Sequence, residues 1–310
     1  MKKILFALFL ACLAASVPAQ SLPETYAQYG KLFIVQLESA PFPHPDRAQG
    51  HKYHDEFYSA EKNYSDNHVA IFVPKGFRPT AQVDFVVHFH GWRHHIETTL
   101  KEYQLIEQFV ASGRNAILIV PQGPYDAPDS FGGKLEDEGG FKRFMGDVMA
   151  TLGERGIITR NNGIGSIILS GHSGGYQVMG SIVARGGLSE QVKEVWLFDA
   201  LYARREQFVG WFTNYPDRRL IDIYTLHGGT KEETEALIAW AKAQQPPLAF
   251  VSKNEPEITE EDLRRNHLII MYSALPHDQV VFKNHQFCEF LKTSMLPSIR
   301  VYQSPKAASE

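Results

Sequence analysis

From Leu32 to Tyr272 the chain alternates short apolar runs with longer stretches whose apolar residues recur every three or four positions. The runs Leu32 to Leu37, His68 to Val73, Val83 to Phe89, Asn115 to Val120, Ser166 to Leu169, Val192 to Phe198, Leu220 to Leu226 and His267 to Tyr272 have the length and aliphatic density of strands buried on both faces. Helical spacing marks Thr98 to Ala111, Phe141 to Leu152, Tyr176 to Ala184, Arg204 to Trp211, Glu232 to Ala243 and Gln279 to Lys292. Strands alternating with helices predict an α/β fold: a mostly parallel sheet covered by helices on both faces, with a ligand site beyond the carboxyl ends of the strands. The Pro/His/Tyr-rich stretch from Pro41 to Asn67 has little periodicity, and with the loop from Gln122 to Gly140 it is expected to form the rim of that site.

One junction between a strand and a helix carries chemistry. In Ile167-Ile168-Leu169-Ser170-Gly171-His172-Ser173-Gly174-Gly175-Tyr176 an apolar run breaks into Gly-x-Ser-x-Gly and restarts as a helix. Glycines flank such a serine because a strained strand-to-helix turn leaves no room for side chains, and the strain lifts the hydroxyl into the open. The motif, with its strand before and helix after, resembles the nucleophile elbow of the α/β-hydrolases.

A serine hydroxyl attacks well near neutral pH only when a neutral imidazole takes its proton and an acid orients that imidazole. The resemblance implies the order serine, acid, histidine, each at a strand's carboxyl end. Asp199 closes the run Val195-Trp196-Leu197-Phe198 and is the expected acid; after the next strand, Leu226-His227-Gly228-Gly229-Thr230 offers no carboxylate. His277, in the loop before the last helix, is the expected base, and His285, eight residues on and within the predicted helix, would be carried away from the sheet edge. The two oxyanion donors implied by the resemblance are the amides of Gly174, after the nucleophile, and Trp92, in the His-Gly turn that ends the strand Val86-Val87-His88-Phe89-His90-Gly91. His90, Tyr125, Tyr176 and Tyr202 are expected to contact substrate, with Trp92, Phe131 and Trp211 as further aromatic rim. The glycine-rich, mixed-charge stretch Asp129 to Gly140 reads as a flexible lip.

His88, His90, His94 and His95 raise a metal-hydrolase reading, because His-x-His on a strand puts both imidazoles on one face. The string lacks the aspartate of the metallo-β-lactamase-like signature, Arg93 standing before His94, so no metal is assigned. His44, His51, His54 and Asp55 fall in irregular chain.

Composition narrows the setting. Lys2 and Lys3, an apolar stretch from Ile4 to Ala15 and the small-residue ending Val17-Pro18-Ala19 read as a secretory signal over residues 1–19, cleaved to leave a secreted or periplasmic chain. A lipoprotein anchor at Cys12 is the weaker alternative, since Cys12 falls too early in the apolar core. Loss of the two lysines takes the formal net charge from −4 to −6, and no basic face suggests nucleic acid. With Cys288 then the single cysteine, an internal disulfide is excluded. Residues 20–310 read as one domain, with only a short segment between Asp199 and Leu220 and hence no large cap. The resemblance then implies an exported serine hydrolase without a cofactor, acting on a small-molecule or glycan-linked ester. A peptidase or amidase would use the same residues, and an inactive hydrolase-fold binding module is the alternative outside enzymes.

Overall fold

The computed structural model describes residues 21–299. The expected signal segment and Cys12 lie outside the described residues. Among the described residues there are eleven strands: β1 (Gly30–Gln36), β2 (His51–Tyr53), β3 (Glu56–Tyr58), β4 (His68–Pro74), β5 (Gln82–Phe89), β6 (Ile117–Pro121), β7 (Gly163–His172), β8 (Val192–Phe198), β9 (Arg219–Thr225), β10 (Val251–Asn254) and β11 (Leu268–Ser273). Nine of them form one sheet in the order β1-β4-β6-β5-β7-β8-β9-β11-β10. Within this sheet only the pairings of β4, with β1 and with β6, are antiparallel, so β4 alone runs against the other eight strands.

The period-2 alternation of strand side chains sorts the apolar runs between two cores. Phe85, Val87, Ile167, Leu169, Val195 and Leu197 face one side, against the helices Gly140–Glu154, Tyr176–Arg185 and Arg205–Thr213. Val86, Ile168, Trp196 and Phe198 face the other, against Leu105–Ser112 and Gln286–Thr293. Burying both faces explains why these strands read as continuous apolar runs rather than alternating ones. Among the described residues, no helix is long and apolar enough to cross a membrane.

Two predicted helices are interrupted. The segment expected to be helical from Thr98 to Ala111 divides into Ile96–Glu102 and Leu105–Ser112, because Gln104 adopts a left-handed backbone (φ 49°). The break turns Tyr103 inward, where it is 1% exposed. Likewise, His277 opens a short 3₁₀ turn and the last helix begins only at Gln286, with His285 (φ 55°) as its exposed N-cap rather than a residue on its body. β10 and the β2–β3 hairpin have no counterpart in the periodicity, being only four and three residues long.

The aperiodic stretch from Pro41 to Asn67 is held by contacts distant in sequence. Phe42, Tyr58, Tyr64 and Ala127 make a small separate core, Arg47 pairs with Asp129 at 2.7 Å, and the amide of Lys134 donates to the carbonyl of Pro41. The loop from Gln122 to Gly140 is therefore clamped on one side. On the other side, the buried Glu136 accepts hydrogen bonds from the Gly132 amide, Gln177 and Ser181, and its carbonyl accepts from Arg185. The expected flexible lip is instead tied at both faces, since its glycines permit close approach: a Cβ on Gly132 would overlap Val178.

Candidate functional site

Ser173 sits where β7 gives way to the helix Tyr176–Arg185, with φ 52°, a left-handed conformation unusual for a side-chain-bearing residue. The flanking glycines are required by close approach. A Cβ on Gly171 would lie 2.6 Å from Cε of Met179, and one on Gly175 would lie 2.9 Å from the carbonyl oxygen of Phe89. The strained serine thus stands at the rim of the sheet, partly exposed.

Asp199 follows β8, is 0% exposed and also has a left-handed backbone (φ 46°). Its Oδ2 lies 2.7 Å from Nδ1 of His277, which follows β11. Thr225 donates to the same carboxylate through its hydroxyl (2.7 Å) and its amide (3.2 Å), and the Thr230 hydroxyl donates to Oδ1. Burial pushes this carboxyl up, but the hydrogen bonds from His277, Thr230 and Thr225 outweigh it and leave Asp199 below the ordinary carboxylate value. The loop after β9, which has no carboxylate of its own, therefore serves the carboxylate of the preceding strand.

The loop carrying His277 is fixed from below. Glu255, 6% exposed, accepts from Ser273, Asn284 and Gln286, on both sides of the histidine. The imidazole of His172, next to the serine, lies 4.5 Å from that of His277, and its Nε2 is 2.9 Å from the carbonyl oxygen of His277. Sequence reasoning had no use for His172, Thr225, Thr230 or Glu255. The only signal for His172 was its place in the x position of the elbow.

Gly91 brings the other side of the site against the serine: a Cβ there would lie 2.8 Å from Cβ of Ser173. Gly174 is the second residue of a short 3₁₀ turn, a position whose amide has no partner within the helix. The next amide along the facing loop, that of Arg93, donates to the carbonyl of Ala127, and the Trp92 indole donates to Ser130 at 2.7 Å. Trp92, Ser130, Ser173, Gly174, Tyr176 and Tyr202 line a cavity of about 160 Å³. The Tyr202 hydroxyl donates to the carbonyl of Gly228. Burial, then the charge of Asp199, pushes that phenol up to about 12, with a hydrogen bond from Ser173 acting in the opposite sense.

The other expected contacts do not line this cavity. His90 is 7% exposed, with Nδ1 at 2.8 Å from the carbonyl of Gly91 and Nε2 accepting from the Gly123 amide, so both ring nitrogens are used to tie two loops together. Tyr125 stacks on His95, Phe131 packs on Phe42 and His44, and Trp211 is in the core. Nor do the four histidines of the β5 region converge. His88 is 2.9 Å from Ser170, His94 stacks on Tyr103, and His95 is 2.8 Å from Asp126. His44 lies 3.4 Å from Asp137 and His54 packs on Tyr53.

No protein-family model matches the sequence, and no curated protein matches it by sequence. Among solved structures the chain is similar to a serine-to-alanine mutant of the feruloyl esterase module from Clostridium thermocellum, complexed with sinapinate. The two share 10% identity over 86% of this chain and 88% of that one, with a TM-score of 0.53. A ferulic acid esterase (11% identity, 73% of this chain and 91% of that one, TM-score 0.48) and S-formylglutathione hydrolase from Staphylococcus aureus (8%, 84% and 98%, TM-score 0.46) align less closely. A nine-stranded sheet with one reversed strand, a serine on the turn after β7 and the first of these similarities together define the α/β-hydrolase fold.

Proposed function

We propose that the protein is a serine hydrolase cleaving a carboxylic ester through an acyl-enzyme. Ser173 is the nucleophile, His277 the base and then the acid, and Asp199 holds the imidazole with its proton on Nδ1, leaving Nε2 free to take the serine proton. The single observation that carries this is the 2.7 Å contact of a buried, multiply hydrogen-bonded Asp199 with His277, 78 residues apart in the chain, with the His277 ring 4.5 Å from that of His172, the neighbour of the left-handed Ser173. The amides of Gly174 and Trp92 are the oxyanion donors; removing one such donor typically costs about 10²- to 10³-fold in kcat. Tyr176, Tyr202 and Trp92 form the wall against which the substrate lies.

An ester is favoured over an amide because a structural neighbour, at a TM-score of 0.53, is a feruloyl esterase module complexed with sinapinate. With the expected signal segment, this reading places the enzyme outside the cytoplasm as one domain over residues 20–310. Covalent labelling by a fluorophosphonate tests it, with peptide mapping of the adduct and Ser173→Ala in parallel. One adduct on Ser173, absent from the variant, together with turnover of aryl esters, supports the reading. A folded protein that takes no adduct overturns it, and adduct formation with turnover of amides alone overturns the ester assignment.

A further inference from the structure

His277 and Ser173 stand on loops after β11 and β7, which are separated in the sheet by β8 and β9. Three strand spacings put those strands about 14 Å apart in the hydrogen-bonding direction. Asp199 fixes only the imidazole of His277, through Nδ1. A second tie reaches its backbone, and it comes from the residue adjacent to the serine: Nε2 of His172 to the carbonyl oxygen of His277, 2.9 Å.

The chemistry of that tie dictates a tautomer. A carbonyl oxygen only accepts, so Nε2 of His172 must carry the hydrogen, and in a neutral imidazole Nδ1 is then an acceptor. Nδ1 faces the hydroxyl of Tyr103 at 2.8 Å, the donor it needs. Tyr103 is itself held: its ring stacks on His94, its carbonyl accepts from Gln108, and it owes its inward position to the left-handed Gln104 that breaks the predicted helix. The remaining close partner of its hydroxyl is Nε2 of His94, 3.4 Å away. Both Tyr103 (1%) and His172 (3%) are shut off from water. Burial, and then the neighbouring His277, pushes His172 down to about 3, so it stays neutral across the range in which His277 must work.

We infer that His172 is a positioning residue: held in its Nε2–H form by Tyr103, it couples the backbone of His277 to the chain of the nucleophile and sets the separation of base and serine. Without the Tyr103 hydroxyl, Nδ1 of His172 loses its donor, the carbonyl of His277 alone favours the Nε2–H form, and a fraction of the other tautomer is admitted. A lone pair would then face the carbonyl of His277 and the link would repel rather than hold. This inference rests on the proposed roles of Ser173 and His277, and its tautomer component does not.

Tyr103→Phe keeps the ring and removes the donor. It is expected to lower kcat on an aryl ester by about 10- to 100-fold, the scale of a misplaced reacting group, with KM within about twofold. His172→Gln keeps an N–H near the position of Nε2 without needing a tautomer fixed, so it should retain most activity. In that background Tyr103→Phe should change kcat by less than about twofold. Nitrogen-15 imidazole spectra of the Ser173→Ala protein should show His172 as the Nε2–H form, and Tyr103→Phe should mix in the other form. A folded Tyr103→Phe protein with unchanged kcat overturns the inference, as does an undiminished loss in the His172→Gln background. A Nδ1–H form of His172 in the spectra overturns it without recourse to activity. Failure of the parent to label on Ser173 instead overturns the proposed function, while the spectra still decide the tautomer.

Discussion

Gly228 lies directly against the carboxylate of Asp199, so that a Cβ built on Gly228 would overlap both carboxylate oxygens. The Gly228 amide also donates to the Thr225 hydroxyl, which in turn donates to Asp199, and its carbonyl accepts from Tyr202. One glycine therefore joins the buried acid to the wall of the cavity beside Ser173. The backbone of Gly228 has no left-handed φ, so the requirement for glycine here is space rather than conformation.

Gly228→Ala is accordingly expected to fold and to lose activity. The added methyl must displace the carboxylate or the loop, moving His277 with it, and a shift of that kind costs about 10- to 100-fold in kcat. Ester turnover and circular dichroism of the purified variant check this. A folded variant with parental kcat would mean that Asp199 can retreat without consequence for His277.

Asp199→Asn separates charge from shape. The Thr230 hydroxyl and the Thr225 amide would still donate to the remaining oxygen at the Oδ1 position, so the site should stay in place, but an amide nitrogen at the Oδ2 position, facing Nδ1 of His277, would favour the wrong tautomer. The expected loss is about 10⁴-fold in kcat with little change in KM, read from steady-state kinetics.

Glu136 should matter for stability more than for chemistry. Its carboxylate takes three donors, from Gly132, Gln177 and Ser181, and their loss on Glu136→Ala should leave the Gly132 amide without an acceptor in a buried place. A destabilisation of about 1–3 kcal/mol is expected from urea unfolding. Proteolytic nicking between Gln122 and Gly140 should become faster, and unchanged nicking would mean that the Arg47–Asp129 side alone holds the loop.

Acid should unfold the protein through its buried imidazoles. Burial pushes His88 well below its ordinary value, His90 to about 4 and His172 to about 3. Each is depressed relative to an unfolded value near 6.5, so the stability linked to it is present above about 6.5 and is lost as pH falls toward those folded values. Asp222 acts in the opposite sense. It is fully buried with one oxygen accepting from Thr234 at 2.6 Å, and burial raises it to about 7. Its folded form holds a proton that the unfolded form has lost above about 4, so stability falls as pH rises from about 4 to 7. Asp222→Asn should therefore raise the melting temperature relative to the parent more at pH 8 than at pH 5, as measured by scanning calorimetry. An equal shift at both values would mean that Asp222 is already ionised in the fold.

The parallel strands, the strand-to-helix turn at Ser173 and the positions of Asp199 and His277 after later strands could be read from the chain because their signals are local. A strand, a tight turn and a helix are specified by neighbours within a few residues, and carboxyl ends of parallel strands necessarily share one edge of the sheet. What surrounds Asp199 could not be read. Thr225, Gly228 and Thr230 are ordinary loop residues until β8 and β9 pair and bring their ends together, 26 to 31 residues apart. The same holds for His172 and Tyr103, linked across 69 residues only after the chain breaks at Gln104 against its helical periodicity. His90 and Tyr125 carried a pattern compatible with ligand contact, yet packing gave His90 to the Gly91 and Gly123 loops and laid Tyr125 on His95. Periodicity and turn chemistry determined where Ser173, Asp199 and His277 emerge. Which polar partners meet them was decided by strand order and close packing, because hydrogen bonds between distant segments exist only once the sheet has placed their ends side by side.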